Sequence, residues 1–248
     1  MRYLILSDIH SNLEALEAVL RAASAQKYDA LLMLGDLVGY GADPNAVVER
    51  IRALNPAAAV RGNHDKVACG LEDPDDFNPM ARAAATWTRN TLTESAREYL
   101  RSLPMGPVLV DDHIEICHGS PMDEDLYVVA DLDVAESIAV ARRPMCLFGH
   151  THVAMVARMD SNDRLSIETP DGHPELRTEL GAAAKYLLNP GSVGQPRDGD
   201  ARAAYAIADL DKKVVTLYRV AYPVAIAQRK IHEAGLPTSL AYRLGMGR

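Results

Sequence analysis

The sequence predicts an α/β fold, in which short buried strands alternate with amphipathic helices. Over the first 60 residues, short apolar runs alternate with segments whose apolar residues recur at helical spacing. The chain of 248 residues is 48% hydrophobic and 24% charged, which are the proportions of a globular protein rather than a disordered one. Strand–helix–strand repetition of this kind favours parallel neighbouring strands joined by right-handed crossovers.

The spacing of apolar residues predicts the elements of the first half. Residues 3–6, 30–34 and 57–60 are short apolar runs, and each is predicted to be a buried strand. Helical spacing over 13–25 predicts one helix. A second helix is predicted to begin at Pro44, because proline is favoured in the first turn. Successive βαβ units are therefore expected.

The second half is predicted to be richer in strands. Two helices are predicted within 78–103, one over 133–141 and one over 224–233. The predicted strands of this half are 108–110, 114–117, 145–148, 153–159, 165–168, 186–188, 204–208 and 214–220. No repeat, low-complexity linker or change of composition divides the chain, so we expect a single domain over residues 1–248.

Charge and cysteine content exclude several classes of protein. The net charge of −8 disfavours a protein that binds long nucleic acid or an anionic membrane surface. A small anionic substrate stays compatible, because local cations can reverse the local field. No apolar run has the length of a transmembrane helix, and the N-terminus does not resemble a signal peptide. Cys69, Cys117 and Cys146 lack paired spacing, which fits a reduced, cytoplasmic setting.

Asp, Asn or His side chains directly follow five of the predicted strands. They lie in segments 8–10, 35–36, 62–65, 118–120 and 149–152. Ligands of open α/β sheets bind at the carboxyl ends of strands, so these side chains are expected to meet. The steps from Asp8 to Asp36 and from Asp36 to Asn63 are 28 and 27 residues, which corresponds to one βαβ unit each.

These side chains form a set of oxygen and nitrogen donors, which suits Mn, Fe or Zn better than a thiolate metal. The seven candidate ligands are Asp8, His10, Asp36, Asn63, His118, His150 and His152. Two metals that share a carboxylate accommodate seven such groups more readily than one metal does. A pair of metals about 3.5–4 Å apart clamps a phosphoryl group for in-line attack. His64, beside a candidate ligand, is then free to act as a general acid.

Each motif has an ordinary structural explanation when it is taken alone. Segment 8–10 is compatible with a turn or cap, and segment 35–36 with a plain strand end. Segment 62–65 is compatible with a tight turn, because Gly and Asn tolerate positive φ. His150 and His152 on one face of a strand are compatible with a structural pair. All five motifs in order, each at a strand end, favour one common site.

The five blocks DIH, GDLVGYG, GNHD, HGS and GHTH, in this order from Asp8 to His152, resemble the signature blocks of the calcineurin-like metallophosphoesterases. Residues 39–45 and 189–200 resemble the compact prokaryotic branch related to diadenosine tetraphosphatases and predicted phosphodiesterases. The resemblance covers nearly the whole chain except about the last twenty residues. It implies a four-layer α-β-β-α sandwich of two packed mixed β-sheets flanked by helices, in a single domain.

The resemblance also implies a role for each residue of the site. Asp8, His10 and His152 would hold the first metal, Asn63, His118 and His150 the second, and Asp36 would bridge both. His64 matches the catalytic histidine of the family, which protonates the leaving oxygen or stabilises its developing charge. Asp65 follows it and is expected to orient its imidazole.

Five further residues are predicted to contact the substrate phosphate. They are Arg61, Asn12, Tyr40, Ser120 and Arg197. For Asn12 the alternative is an N-cap of the first helix, and for Arg61 and Arg197 it is a surface ion pair.

The sequence therefore predicts a phosphoric ester hydrolase, either a phosphodiesterase or a phosphatase. The resemblance implies direct attack of a metal-bridging hydroxide on a small phosphodiester or nucleotide, with His64 as general acid. Two divalent ions are expected, with Mn preferred and Fe, Zn, Ni, Co or Mg as alternatives. No long nucleic acid or membrane is an expected partner, and the oligomeric state stays open. Residues 66–103 form a helical insertion between the third and fourth motifs, which is expected to cap the site.

Two other functions stay open at this point. The same fold serves elsewhere as a non-catalytic, metal-binding scaffold for protein interactions, but the retained His64 favours an enzyme. A protein serine/threonine phosphatase is the other alternative. Those enzymes usually carry GNHE and GDxxDRG, whereas this chain has GNHD and GDLVGYG, which argues against that function.

Overall fold

Two mixed β-sheets of six strands each lie face to face, and helices cover the outer side of both. The structure is a computed structural model that describes residues 1–248. Its strands are β1 (Arg2–Leu6), β2 (Ala30–Met33), β3 (Ala58–Ala59), β4 (Val108–Leu109), β5 (Ile114–Ile116), β6 (Met145–Leu147), β7 (Met155–Met159), β8 (Leu165–Glu168), β9 (Glu175–Glu179), β10 (Lys185–Asn189), β11 (Ala203–Asp209) and β12 (Val214–Val220). Its helices are α1 (Leu13–Ser24), α2 (Pro44–Leu54), α3 (Asn63–Cys69), α4 (Pro79–Thr91), α5 (Glu94–Ser102), α6 (Asp131–Val140), α7 (Val224–Glu233) and α8 (Thr238–Leu244).

The first sheet has the strand order β3-β2-β1-β11-β12-β9. Strands β1, β2 and β3 are parallel, as the repeated βαβ pattern predicts, and the remaining strands pair antiparallel. The second sheet has the order β4-β5-β6-β10-β7-β8, in which β5, β6 and β10 are parallel. The parallel groups of the two sheets bring the five strand-end motifs to one end of the sandwich.

Alternation of side chains along β1 explains the layers. Leu4 and Leu6 belong to the apolar layer between the first sheet and its helices, while Tyr3 and Ile5 belong to the layer between the two sheets. A third apolar layer joins the second sheet to α6. A strand that is buried on both faces has to be apolar throughout, which is why β1 is a continuous apolar run. The predicted four-layer α-β-β-α sandwich is confirmed.

Three local predictions differ from the structure. Strand β9 and helix α8 were not predicted. The strand predicted over 153–159 begins at Met155, so His150 and His152 lie in a loop and do not form a pair on one strand face. The GNHD segment is the beginning of α3, with Gly62 as N-cap, rather than an isolated tight turn. None of the helices has the length and apolar composition needed to cross a membrane.

Candidate metal centre

The loops after β1, β2, β5 and β6 are tied together by backbone hydrogen bonds at the end of the sandwich. The Asp8 amide donates to the Gly35 carbonyl at 3.0 Å, and the His10 amide donates to the Asp36 carbonyl at 3.0 Å. In the second sheet, the Gly149 amide donates to the His118 carbonyl at 2.8 Å. The predicted meeting of strand-end side chains is therefore built into the backbone of both sheets.

Five of the candidate ligands have left-handed backbone conformations. Their φ values are 53° at Asp8, 48° at His10, 54° at Asp36, 63° at His150 and 61° at His152. A non-glycine residue in this region costs of order 1–3 kcal/mol, and such residues persist where the surroundings impose them. Here the left-handed residues turn the chain sharply after each strand, so that neighbouring side chains point into one small space.

The first group of side chains consists of Asp8, His10, Asp36 and His152, all of which are buried. His10 Nε2 lies 3.0 Å from His152 Nε2 and 3.5 Å from Asp36 Oδ2. His152 Nε2 lies 3.3 Å from Asp8 Oδ1. The two imidazole nitrogens and the two carboxylates of this group therefore surround one common point.

The second group consists of Asp36, His118 and His150, and these residues are also buried. His118 Nε2 lies 3.5 Å from Asp36 Oδ2 and 3.1 Å from His150 Nδ1. Asp36 thus belongs to both groups, and the same oxygen, Oδ2, faces His10 in one group and His118 in the other. The two groups share one carboxylate oxygen.

Backbone carbonyls fix the tautomer of each imidazole. His10 Nδ1 faces the Val38 carbonyl at 3.0 Å, and His118 Nδ1 faces the Leu34 carbonyl at 2.7 Å. A carbonyl only accepts hydrogen bonds, so each of these nitrogens carries the hydrogen and leaves a lone pair on Nε2. His152 follows the same pattern through the Gln195 carbonyl at 2.6 Å.

His150 is turned the other way, with Nε2 3.0 Å from the Asp125 carbonyl, so its lone pair is on Nδ1. Two lone pairs therefore face each other at 3.0 Å between His10 and His152, and these neutral imidazoles cannot hydrogen-bond to each other. Between His118 and His150, at 3.1 Å, a proton on His118 Nε2 fills the same place when no metal is bound. Each pair of nitrogens therefore encloses a place for a cation.

The charges of the site favour cations as well. Burial acts to raise the pKa of Asp8, but His152 holds the pKa below the usual value of a carboxyl. Burial acts in the same way on Asp36, but His118 holds the pKa of that carboxyl well below its usual value. Both groups are ionised at neutral pH.

The histidines divide into neutral rings and one cationic ring. Burial lowers the pKa of His10 and His152, and it lowers the pKa of His150 to about 3. Burial also acts to lower the pKa of His118, but the Asp36 carboxylate overcomes it and raises that pKa to about 10. Without metal, one proton on His118 therefore stands against two carboxylates, which leaves the site negative and ready for cations.

Asn63 is the remaining predicted ligand of the second group. Its Oδ1 is buried and has no hydrogen-bond partner. A buried carbonyl oxygen without a partner costs about 1–3 kcal/mol, so we expect this oxygen to bind a group that the protein itself does not supply. An amide oxygen is a good ligand for hard divalent cations. The donor set, the facing lone pairs and the unpartnered Asn63 oxygen together fit two divalent metal ions.

His64 lies at the edge of the centre without belonging to either group. Its backbone amide donates to Asp36 Oδ1 at 2.9 Å, and Nδ1 of its buried ring has no hydrogen-bond partner. Its ring centroid is 4.9 Å from that of His10 and 4.4 Å from that of Tyr40. Burial lowers the pKa of His64 to about 4, against the opposite effect of Asp36.

Gly39 leaves the space that the His64 ring occupies. Its φ is +97°, and a Cβ atom at this position would lie 2.5 Å from His64 Nδ1. Any side chain at residue 39 would therefore push the ring away from the centre.

Asp65 does not orient the imidazole, so that prediction is wrong. Its carboxylate accepts hydrogen bonds from the backbone amides of Gly62 at 3.0 Å and Val38 at 3.2 Å. These bonds cap the beginning of α3 and tie it to the loop after β2. Burial, with repulsion from Asp36, raises the pKa of Asp65 to about 7. Asp65 positions the backbone of the GNHD segment rather than its histidine ring.

Two of the predicted substrate contacts lie at the centre. The ring of Tyr40 is 4.7 Å from that of His10. The Arg197 guanidinium lies 5.8 Å from the centroid of the Tyr40 ring, and its Nη2 donates to Gln195 Oε1 at 3.2 Å. Arg197 Nε is buried without a partner, so the guanidinium keeps a donor available for an anion.

The other three predicted contacts have polar atoms that are hydrogen-bonded within the protein. Asn12 Oδ1 accepts from the Ala15 amide at 3.1 Å, which makes Asn12 the N-cap of α1. Ser120 Oγ accepts from the amides of Met122 and Asp123 in a tight turn. Arg61 donates to the Glu124 carboxylate through Nε and Nη2, each at 3.2 Å. Asn12 and Arg61 therefore make the structural contacts, an N-cap and an ion pair, that were the alternatives to a phosphate contact.

Sequence reasoning missed two aromatic residues beside the centre. The Tyr127 ring lies 3.8 Å from that of His150, and the Phe77 ring lies 4.7 Å from that of His64. The sequence held one faint signal, since Phe77 is one of only two phenylalanines in a chain that is 5% aromatic. Nothing in the local sequence showed which surface either ring would face.

Comparison with known proteins agrees with this geometry. Residues 1–213 match the calcineurin-like phosphoesterase superfamily domain. An uncharacterized protein of Methanocaldococcus jannaschii is 36% identical over 98% of this chain and 97% of its own length. The crystal structure of a metallophosphoesterase from Sphaerobacter thermophilus is 41% identical, with a TM-score of 0.88 over 100% of this chain and 99% of that chain.

A hypothetical protein from Pyrococcus horikoshii shares the fold at 22% identity, with a TM-score of 0.81 over 100% of this chain and 98% of that chain. The chain belongs to the calcineurin-like phosphoesterase superfamily, as its motifs predicted. It is a metallophosphoesterase, a phosphoric ester hydrolase, and its buried Asp and His cluster is able to bind divalent metal.

Proposed function

We propose that the protein hydrolyses a small phosphodiester or nucleotide with the help of two divalent metal ions. The first would be held by Asp8, His10 and His152, the second by Asn63, His118 and His150, with Asp36 between them. The observation that carries this proposal is the shared Asp36 oxygen, which is 3.5 Å from His10 Nε2 and 3.5 Å from His118 Nε2. When bound, the two metals would supply an activated water and neutralise charge on the phosphate.

The side chains of the protein would do the remaining work. Arg197 and Tyr40 would hold the non-bridging phosphate oxygens, since Arg197 Nε is free and the Tyr40 ring lies between Arg197 and His64. His64 would face the leaving oxygen. As the general acid, the ring would hold a proton and pass it to the leaving oxygen.

The chemistry of the donor set supports Mn as the preferred metal, because oxygen and imidazole donors dominate and thiolates are absent from both groups. The three cysteines are free and buried, which supports the cytoplasm as the compartment. We also propose that residues 1–248 act as a single domain. Within the inserted residues 66–103, the segment around Phe77 would be the part that covers the site, since its ring contacts that of His64.

Leaving-group dependence tests the role of His64. His64→Gln should lower kcat by about 10²–10³ for a diester with an alkyl leaving group, and by about tenfold or less for bis(p-nitrophenyl) phosphate, whose leaving group needs no proton. Equal losses of kcat on both substrates would contradict the role of His64 as general acid. Failure of the wild-type protein to hydrolyse any phosphodiester, phosphomonoester or nucleotide in a panel with Mn would overturn the proposed function itself.

A further inference from the structure

A cleft of about 270 Å³ opens beside His64, and neither His10 nor His152 belongs to its lining. Its lining includes Tyr40, Asn63, His64, Phe77, Tyr127 and His150. His64 is the proposed donor to the leaving oxygen, so the leaving group of a bound phosphodiester would lie in this cleft. The side chains that line the cleft would therefore contact the leaving alcohol.

Three aromatic rings form the walls of this cleft. The Phe77 and Tyr40 rings lie 4.7 and 4.4 Å from that of His64, and the Tyr127 ring lies 3.8 Å from that of His150 at an interplanar angle of 37°. Tyr127 remains 47% exposed, so its free face is open to a ligand. Aromatic faces carry partial negative charge, and several around one space are a recognition element for alkylammonium groups.

The rim of the cleft is acidic, and its carboxylates are only partly neutralised. Glu72, Asp73, Asp76 and Asp125 belong to the lining. Lys66 Nζ lies 3.0 Å from Glu72 Oε1 and 2.6 Å from Asp125 Oδ2, and it also binds Glu124. The ammonium of Lys66 therefore already neutralises part of the charge of these carboxylates.

Asp73 and Asp76 are the rim carboxylates that Lys66 does not contact. Asp73 forms an exposed ion pair with Arg89 at 3.3 Å, whose two side chains are 79% and 28% exposed, and Asp76 makes no ion pair. An exposed pair of this kind contributes little, so Asp73 and Asp76 leave the rim of the cleft acidic.

We propose that this cleft selects a phosphodiester whose leaving alcohol carries a positive charge, of the alkylammonium type. The proposal rests on the proposed function, and it narrows the substrate class. Positive charge at the metals and Arg197 would bind the phosphate, while the rings of Phe77 and Tyr127 and the acidic rim would bind the cation. The anionic phosphate of such a substrate would lie at the metals, and its cationic alcohol would lie in the cleft.

Binding of the free alcohol tests this proposal on the intact, metal-loaded chain. Choline is the probe, and 3,3-dimethylbutan-1-ol, in which carbon replaces the nitrogen, is its neutral match. Ligand-observed NMR titrations should give choline an affinity about fivefold or more above that of the neutral alcohol, and added salt should reduce the difference. Equal affinities, or binding of neither alcohol, would overturn the proposal.

Variants assign the effect to the cleft. The double variant Asp73→Asn, Asp76→Asn should lower the preference for choline to about twofold or less, and Phe77→Leu should weaken choline more than the neutral alcohol. Asp75→Asn is the matched control, because this exposed carboxylate is on the same loop but outside the lining. An unchanged preference in the double variant and in Phe77→Leu would contradict this assignment.

Hydrolysis separates the two proposals. Wild-type protein should cleave a methyl phosphodiester of choline with a higher kcat/KM than the same diester of 3,3-dimethylbutan-1-ol. Cleavage of aryl phosphodiesters without a preference for choline would overturn the cleft proposal alone. Selective binding of choline without hydrolysis of any phosphate ester would leave the cationic site standing and overturn the proposed function.

Discussion

Substitution of Asp36 by Asn should weaken both metal sites together. One oxygen of this carboxylate is 3.5 Å from the ring nitrogens that define each group, while the other is held by the His64 amide at 2.9 Å. The amide keeps the shape of the side chain and removes its charge. Loss of one charge-assisted interaction costs about 1.5–3 kcal/mol, so each metal should lose about 10- to 150-fold in affinity.

The assay counts bound metal after dialysis of each protein against the same free Mn concentration. Wild type should hold two equivalents and Asp36→Asn close to none. Asn63→Ala provides the control, because Asn63 is assigned to the second metal only, and it should hold one equivalent. Retention of one tightly bound metal in Asp36→Asn would refute the shared carboxylate.

The remaining predictions concern the surroundings of the centre. Gly39→Ala should lower kcat while leaving metal content unchanged, because its Cβ would lie 2.5 Å from His64 Nδ1; kinetics and metal analysis check this together. Arg197→Lys should raise KM severalfold with a smaller effect on kcat, since a lysine cannot present the same fork to a phosphate. Lys66→Met should lower the free energy of unfolding in urea by about 2 kcal/mol. The substitution removes a buried ammonium whose Nζ lies within 3.1 Å of three carboxylates, which would then lose their shared cation. An unchanged free energy of unfolding would contradict the structural role of Lys66.

The metal centre was predictable because parallel strands end at a common edge. Asp8, Asp36 and Asn63 follow three successive parallel strands, so their spacing along the chain already implied their proximity. His118 and His150 follow two neighbouring strands of the other sheet in the same way. The facing lone pairs were not predictable, because they depend on which backbone carbonyl each ring meets.

Side-chain direction explains the main errors. Asp65 is adjacent to His64 in sequence, but successive residues of a helix point in different directions, and its carboxylate turns back to the Gly62 amide. Strand β9 was missed because it is an edge strand in which only Thr178 is buried and only Leu176 is apolar, so its sequence has no apolar run. Phe77 reaches the cleft through a loop whose path depends on tertiary packing alone.

Titration of metal-free protein with Mn during hydrolysis of bis(p-nitrophenyl) phosphate tests the two-metal centre most directly. The geometry predicts that activity stays low until the second equivalent binds and then reaches its maximum near two equivalents. His64→Gln should bind the same two equivalents with a lower maximum rate. Full activity with one equivalent, or in the absence of metal, would contradict a centre in which Asp36 joins two metal ions.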